Sequence, residues 1–204
     1  MIRAVLFDFG GVLTSSPFDG FADYERSAGL PIGFLRRVNS TSPDTNAWAR
    51  FERSEIDRAT FEAAFEAEAE ALGHRVDASQ VLASMATGLR PRMVEALRRC
   101  AERYRTALLT NNILTDGERS AATAEVLELF DVIVESSKVG ARKPEVQFYE
   151  MACDLLDVEP ANCVFLDDLG VNLKPARAMG MTTIKVIDHE RALAELEGVL
   201  GHPV

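Results

Sequence analysis

The sequence predicts an α/β protein, a parallel sheet interrupted once, after its first strand, by an all-helical block. Three observations carry this reading. Five short apolar runs, Ile2–Phe7, Thr106–Leu109, Phe130–Val134, Cys163–Leu166 and Thr182–Val186, are too short for helices and are apolar enough for strands buried on both faces. From Pro91 onward each run is separated from the next by a helical pattern, which is the rhythm of a parallel sheet with crossover helices. Between Leu13 and Arg105 no convincing strand appears, only helical segments, and that block reads as an insertion.

The first run, broken only by Arg3, ends on Asp8, and Gly10 and Gly11 follow. The insertion holds helices expected at Phe18–Ala28, Phe34–Val38, Ala47–Arg53 and Ala59–Leu72. A further helix capped by Asp77 is expected to run to Ala86. In the helix over 59–72, Phe61, Ala64, Phe65 and Leu72 share a face that Glu68 interrupts. Pro91 opens the next helix, over Arg92–Tyr104. The second strand ends in Thr110-Asn111-Asn112, and a helix passes through Val126–Leu129. The third strand, 130–134, leads through Glu135–Lys138 to Lys143 and to Pro144, taken as the start of a helix running to about Leu156. The fourth strand ends in Asp167-Asp168, before a helix over Gly170–Met179. The fifth strand is followed by a final helix over Glu190–Leu200.

Composition narrows the function classes. A chain of 204 residues, 47% of them hydrophobic, can bury a substantial core. The net charge of −10, with no Lys/Arg cluster, argues against a nucleic-acid backbone as partner. No apolar run approaches the ~18 residues that span a bilayer, so no membrane partner is expected. The opening residues lack a signal-peptide layout. Cys100, Cys153 and Cys163 are odd in number, without CxxC spacing, and sit in apolar patterns. They are expected to be reduced core cysteines of a cytoplasmic protein. His74, His189 and His202 lack zinc-ligand spacing. Nothing in the sequence fixes an oligomeric state.

The candidate site comes from the strand ends. Parallel strands place their carboxyl ends on one edge, so Asp8, Thr110, Asn111, Asp167 and Asp168, with Lys143 from the loop after the third strand, are expected to converge. Singly, each has a plain structural explanation in turn or cap chemistry, or as a solvated charge. Together they have a chemical logic. Crowded carboxylates repel unless a hard cation lies among them, and Mg²⁺ suits one or two carboxylates plus a substrate phosphate. A hydroxyl, an amide and an ammonium are the donors a phosphate dianion wants. A carboxylate beside a bound phosphoryl group can act as nucleophile, and Asp8 is the candidate.

The segments Asp8-Phe9-Gly10-Gly11-Val12, Leu108-Leu109-Thr110-Asn111, Lys143-Pro144 and Phe165-Leu166-Asp167-Asp168-Leu169-Gly170-Val171-Asn172 resemble the four motifs of the haloacid dehalogenase superfamily, in that order. Within it, Phe130–Ser136 and Val164–Gly170 are similar to the N-terminal phosphatase domain of soluble epoxide hydrolases and to the hydrolase-like N-terminal domain of some acyl-CoA dehydrogenase family members. The resemblance implies a Rossmann-like five-stranded parallel core formed by residues 1–14 and 89–204, with a helical cap over 15–88. It implies Asp8 as nucleophile and Mg²⁺ ligand, the Gly10 carbonyl as a second ligand and Asp168 as the third. Asp167 and Asn172 would support them. Thr110, Asn111 and Lys143 would hold the phosphate, with Lys138 as the nearest rival to Lys143.

One position departs from the pattern. The family's phosphatases usually carry a second Asp two residues after the nucleophile, where this chain has Gly10. That group protonates the leaving group and later activates water, a contribution of roughly 10²–10⁴ in rate. The resemblance therefore implies a Mg²⁺-dependent phosphatase of a small phosphorylated metabolite, slowed by the missing acid. The alternatives are a phosphate-binding or regulatory domain with little turnover, and a dehalogenase. If another residue supplies the proton, Thr14, Asp19 and Asp167 are the first candidates.

Overall fold

A computed structural model describes residues 1–85, 88–114 and 120–204. Five strands form one all-parallel sheet: β1 (Ala4–Phe7), β2 (Arg105–Thr110), β3 (Val132–Glu135), β4 (Cys163–Asp167) and β5 (Thr182–Lys185). Their spatial order is β3-β2-β1-β4-β5. The first strand is central because its residues are all apolar and wholly buried, and it reverses direction of winding on either side. Helices α6 (Pro91–Ala101), α7 (Ala121–Leu127), α8 (Ser136–Val139), α9 (Val146–Leu156), α10 (Gly170–Ala178) and α11 (His189–Leu200) follow or precede the strands. Two apolar clusters cover the sheet. One joins Val5, Phe7, Leu108 and Leu166 to Met93, Leu97 and Leu196. The other joins Leu6, Leu109 and Phe165 to Phe148, Tyr149 and Leu173.

The insertion is helical throughout its described residues: α1 (Pro17–Ser27), α2 (Phe34–Ser40), α3 (Ala47–Glu52), α4 (Arg58–Ala71) and α5 (Ala78–Ser84). The expected end of the last helix at Ala86 lies outside the described residues. A third apolar cluster belongs to this block, built on Phe21, Trp48, Phe51, Phe61 and Phe65. Phe51 stacks on Phe61 at 4.5 Å between centroids, and Trp48 meets Phe61 edge-on at 5.3 Å. Glu68 interrupts the apolar stripe of α4 for a reason: its carboxylate accepts the Ala47 N–H at 2.7 Å and so completes the start of α3. The block leaves and rejoins the sheet side by side, where Thr14 and Leu89 form an antiparallel bridge.

Three differences from the expectation bear on the site's surroundings. The third strand begins at Val132, not Phe130. The Phe130 N–H bonds the Leu127 carbonyl, while Asp131 spends its N–H on the Thr106 carbonyl and its carboxylate on the Thr106 N–H. The short helix α8 was not foreseen; its four residues are too few to show a period. Pro144 does not open α9. An Arg142–Glu145 turn precedes the helix, whose first residue is Val146.

Candidate active site

The register of the sheet assembles the site. Phe7 pairs with Leu108 on one side and Leu166 on the other, so Asp8 emerges level with the ends of β2 and β4. Asp8, Gly10, Thr110, Asn111, Lys143 and Asp168 line one cavity of about 520 Å³ between the sheet edge and the helical block. Every predicted site residue is therefore brought to one place. Lys138 is not: its side chain is exposed and pairs with Glu135.

At the floor, the Lys143 ammonium is buried and lies 2.8 Å from both Asp8 Oδ1 and Asp167 Oδ2. Burial acts to lower its pKa, but Asp167 and Asp8 outweigh that, and the net direction is up, so the ammonium stays charged. Asp167 is wholly buried and fully engaged. Besides Lys143 it accepts from the Leu169 N–H at 2.8 Å and from the Asn172 amide at 3.1 Å on each oxygen. Asn172 is itself held by Tyr149, whose hydroxyl donates to its carbonyl at 2.6 Å. The Asn111 amide does not point its polar atoms at a ligand. It donates to the Lys143 carbonyl at 2.9 Å and accepts the Lys143 N–H at 2.8 Å. Its place is to fix the lysine loop.

Three carboxylates, of Asp8, Asp167 and Asp168, come within 4.8 Å of one another, against a single ammonium. Burial raises the Asp8 carboxyl well above the usual carboxylate range against the opposing pull of Lys143, and Asp167 and Asp168 raise it further. Burial, and then the Asp167 charge, push Asp168 up to about 6. Such a surplus of buried negative charge and oxygen ligands fits a hard divalent cation. Asp8 and Asp168 are the carboxylates left for it, since Asp167 is committed. Gly11 makes their approach feasible. It sits at φ +76°, and a Cβ there would fall 2.4 Å from Asp168 Oδ2.

The roof is contributed by the helical block. Pro17, Phe18, Phe21, Trp48 and Met85 give it an apolar wall. Arg36 of α2 lines it too, its guanidinium 4.2 Å above the Phe18 ring. Glu52 and Arg142 join roof to floor at 2.5 Å, and Trp48 donates to the same Glu52 carboxylate at 3.0 Å. Arg36, Glu52 and Arg142 escaped the sequence reading. A signal for the first was present, because Arg36, Asn39 and Ser40, spaced i, i+3, i+4, all line the cavity.

A model of haloacid dehalogenase-like hydrolases matches residues 2–180. The chain belongs to that family. Acyl-CoA dehydrogenase family member 10 of Mus musculus is 34% identical over 209 residues, covering 99% of this chain and 19% of that protein. Bifunctional epoxide hydrolase 2 of Sus scrofa is 35% identical over 217 residues, covering 98% and 39%. The chain thus spans well under half the length of these two relatives. Phosphatase MT3486 of Mycobacterium tuberculosis is 32% identical, and there the match covers 88% of this chain and 85% of the relative. Among solved structures of the family, the enzyme BT-2542 of Bacteroides thetaiotaomicron, in complex with magnesium and inorganic phosphate, superposes with a TM-score of 0.61. It is 18% identical, over 91% of this chain and 94% of that one. The five-stranded parallel core is the fold of this family. No helix among the described residues is long and apolar enough to cross a membrane.

Proposed function

We propose that this haloacid dehalogenase-like hydrolase is a Mg²⁺-dependent phosphatase that passes a phosphoryl group through Asp8. The observation that carries this reading is the buried Asp8–Lys143–Asp167 chain beside Asp168, an arrangement with surplus negative charge at the cavity floor. Asp8, Asp168 and the Gly10 carbonyl would hold the cation. When bound it would neutralise the carboxylates and the phosphate oxygens that must approach them. Asp8 attacks phosphorus, the ester oxygen leaves with the bonding pair, and an aspartyl phosphate remains until water displaces Asp8. Lys143 and the Thr110 hydroxyl neutralise and orient the phosphoryl oxygens. Asn111, Asp167 and Asn172 hold these groups in place. The relative called a phosphatase and the solved structure holding magnesium and phosphate support the same reading. The apolar roof favours a substrate whose organic part is small and largely apolar.

None of the three alternative proton donors fits. The Thr14 hydroxyl is buried and donates to the Ser15 carbonyl, Asp19 does not line the cavity, and both oxygens of Asp167 are engaged. The reading is tested by phosphate release from a panel of small phosphomonoesters and diphosphates with and without Mg²⁺. Metal-dependent release that Asp8→Asn removes is expected. Metal-independent halide release, or phosphate binding without turnover on any substrate, would replace it with one of the other two readings.

A further inference from the structure

We infer that Arg36 of the cap receives a second anionic group of the substrate, next to the phosphoryl group being transferred, and that the substrate is accordingly a small organic diphosphate. This rests on the phosphatase reading above. The argument starts at Gly10. Its backbone is ordinary, yet a Cβ there would press on the Pro17 ring at 3.2 Å. The position beside the nucleophile, where a general acid would stand, thus carries no side chain and faces the start of α1. The next residue is Phe18, and Arg36 lies over its ring. The part of the wall next to Gly10 thus carries a guanidinium; the carboxylates of the cap that line the cavity are Asp44 and Glu52, and Glu52 is taken by Arg142.

Arg36 is suited to this part. It has no carboxylate within ion-pair distance among the described residues, whereas Arg142, the other arginine of the cavity, is taken by Glu52. Its contact with the Phe18 ring holds the guanidinium in the cavity wall, and among the described residues no hydrogen bond or ion pair engages its N–H groups, which leaves them for a forked contact with a phosphate.

The chemistry is consistent. Asp8 attacks the terminal phosphorus, and the bond to the bridging oxygen breaks. The electron pair stays on that oxygen, which leaves as part of an organic monophosphate. A phosphate leaving group needs no proton at neutral pH, unlike an alkoxide. A cation facing it offsets the charge that an acid would otherwise cancel with a proton.

The test pairs binding with turnover, using the full chain in excess Mg²⁺. Calorimetry compares methylenediphosphonate with methylphosphonate. The native chain should prefer the diphosphonate, and Arg36→Ala should lose about 10- to 100-fold of that preference, the range for a charge-assisted contact. Arg36→Lys should keep part of it. In turnover, Arg36→Ala should lower kcat/KM for a short-chain alkyl diphosphate by about 10- to 100-fold more than for p-nitrophenyl phosphate. Equal affinity of the native chain for both phosphonates would overturn the inference. So would an equal loss on all substrates in Arg36→Ala, or alkyl monophosphates turned over as fast as diphosphates with Asp44→Asn abolishing it, Asp44 being a carboxylate of the cap that lines the same cavity. The last result would place an acid on the cap. A native chain that binds the diphosphonate through Arg36 but releases no phosphate would sustain the recognition and refute the phosphatase reading.

Discussion

The Asn111 side chain closes a two-bond ring with the main chain of Lys143, at 2.9 and 2.8 Å, and so ties the end of β2 to the loop that carries the buried ammonium. Removing it should leave a carbonyl and an N–H near the floor without their partner, at about 1–3 kcal/mol. Asn111→Ala is expected to lower the melting temperature by several degrees and to cut kcat more than it raises KM. If Asn111 instead held phosphate through its amide, KM would carry the loss and the melting temperature would not move.

The two adjacent glycines should respond oppositely. Gly10 has φ −67° and only the Pro17 ring near its missing Cβ, so Gly10→Asp is compatible with the fold after a shift of a few tenths of an ångström. It would place a carboxyl where the family's acid stands and should raise turnover of alkyl phosphates by up to ~10²–10⁴. Gly11→Ala has neither the backbone nor the space, because the Asp168 carboxylate occupies it. It should displace Asp168 and abolish Mg²⁺-dependent activity. Phosphate-release rates for the two variants, with mass spectrometry for phosphorylated Asp8, decide the matter. An inactive, well-folded Gly10→Asp would mean that Pro17 holds the new side chain away from the leaving group.

Metal affinity should depend on pH through Asp168. Its carboxyl is raised from an ordinary 3.8 to about 6. A group raised on folding favours the folded state while protonated, so in the metal-free protein its contribution is complete below pH ~4 and is lost as pH rises through ~6. Mg²⁺ requires the ionised form, so its affinity should climb over the same interval. The rise in melting temperature on adding Mg²⁺ should accordingly be larger at pH 7 than at pH 5. Asp8→Asn and Asp168→Asn should each abolish that gain together with activity. Calorimetry giving Asp168→Asn an unchanged Mg²⁺ affinity would remove Asp168 from the metal site.

Most of the sheet was legible because a strand buried on both faces leaves an apolar run that only a polar strand end can stop. The convergence of Asp8, Thr110 and Asp168 follows from parallel strands alone. What was not legible lies in directions and in contacts across the cavity. The sequence places Asn111 at the edge but does not say that its amide turns back to Lys143. Glu68 looks like a flaw in a helical stripe until the start of α3 is placed against it. Arg142 and Glu52 are ninety positions apart, and neither interrupts any period, so their meeting across the cavity left no local trace.

That meeting leads to a prediction about the helical block. The Arg142–Glu52 pair is joined by two further contacts on the same side, Arg53 to Glu145 at 3.2 Å and the Ser54 hydroxyl to the Ser137 carbonyl at 2.8 Å. Arg142 also precedes Lys143, so the residue that fastens the roof adjoins the one that anchors the floor. If residues 15–88 form a lid, these contacts favour its closed position, and closure completes the substrate cavity. Arg142→Ala should therefore raise KM for the preferred substrate while leaving the sheet intact. The block has its own apolar cluster, and Thr14 and Leu89 stand next to each other. Replacing residues 16–87 by a short Gly/Ser linker should accordingly leave a core that melts cooperatively and still binds Mg²⁺, with its selectivity among phosphates lost. Circular dichroism and Mg²⁺ calorimetry on the shortened chain would check this. An unfolded product would mean that the helices stabilise the sheet and that the block is no separate cap.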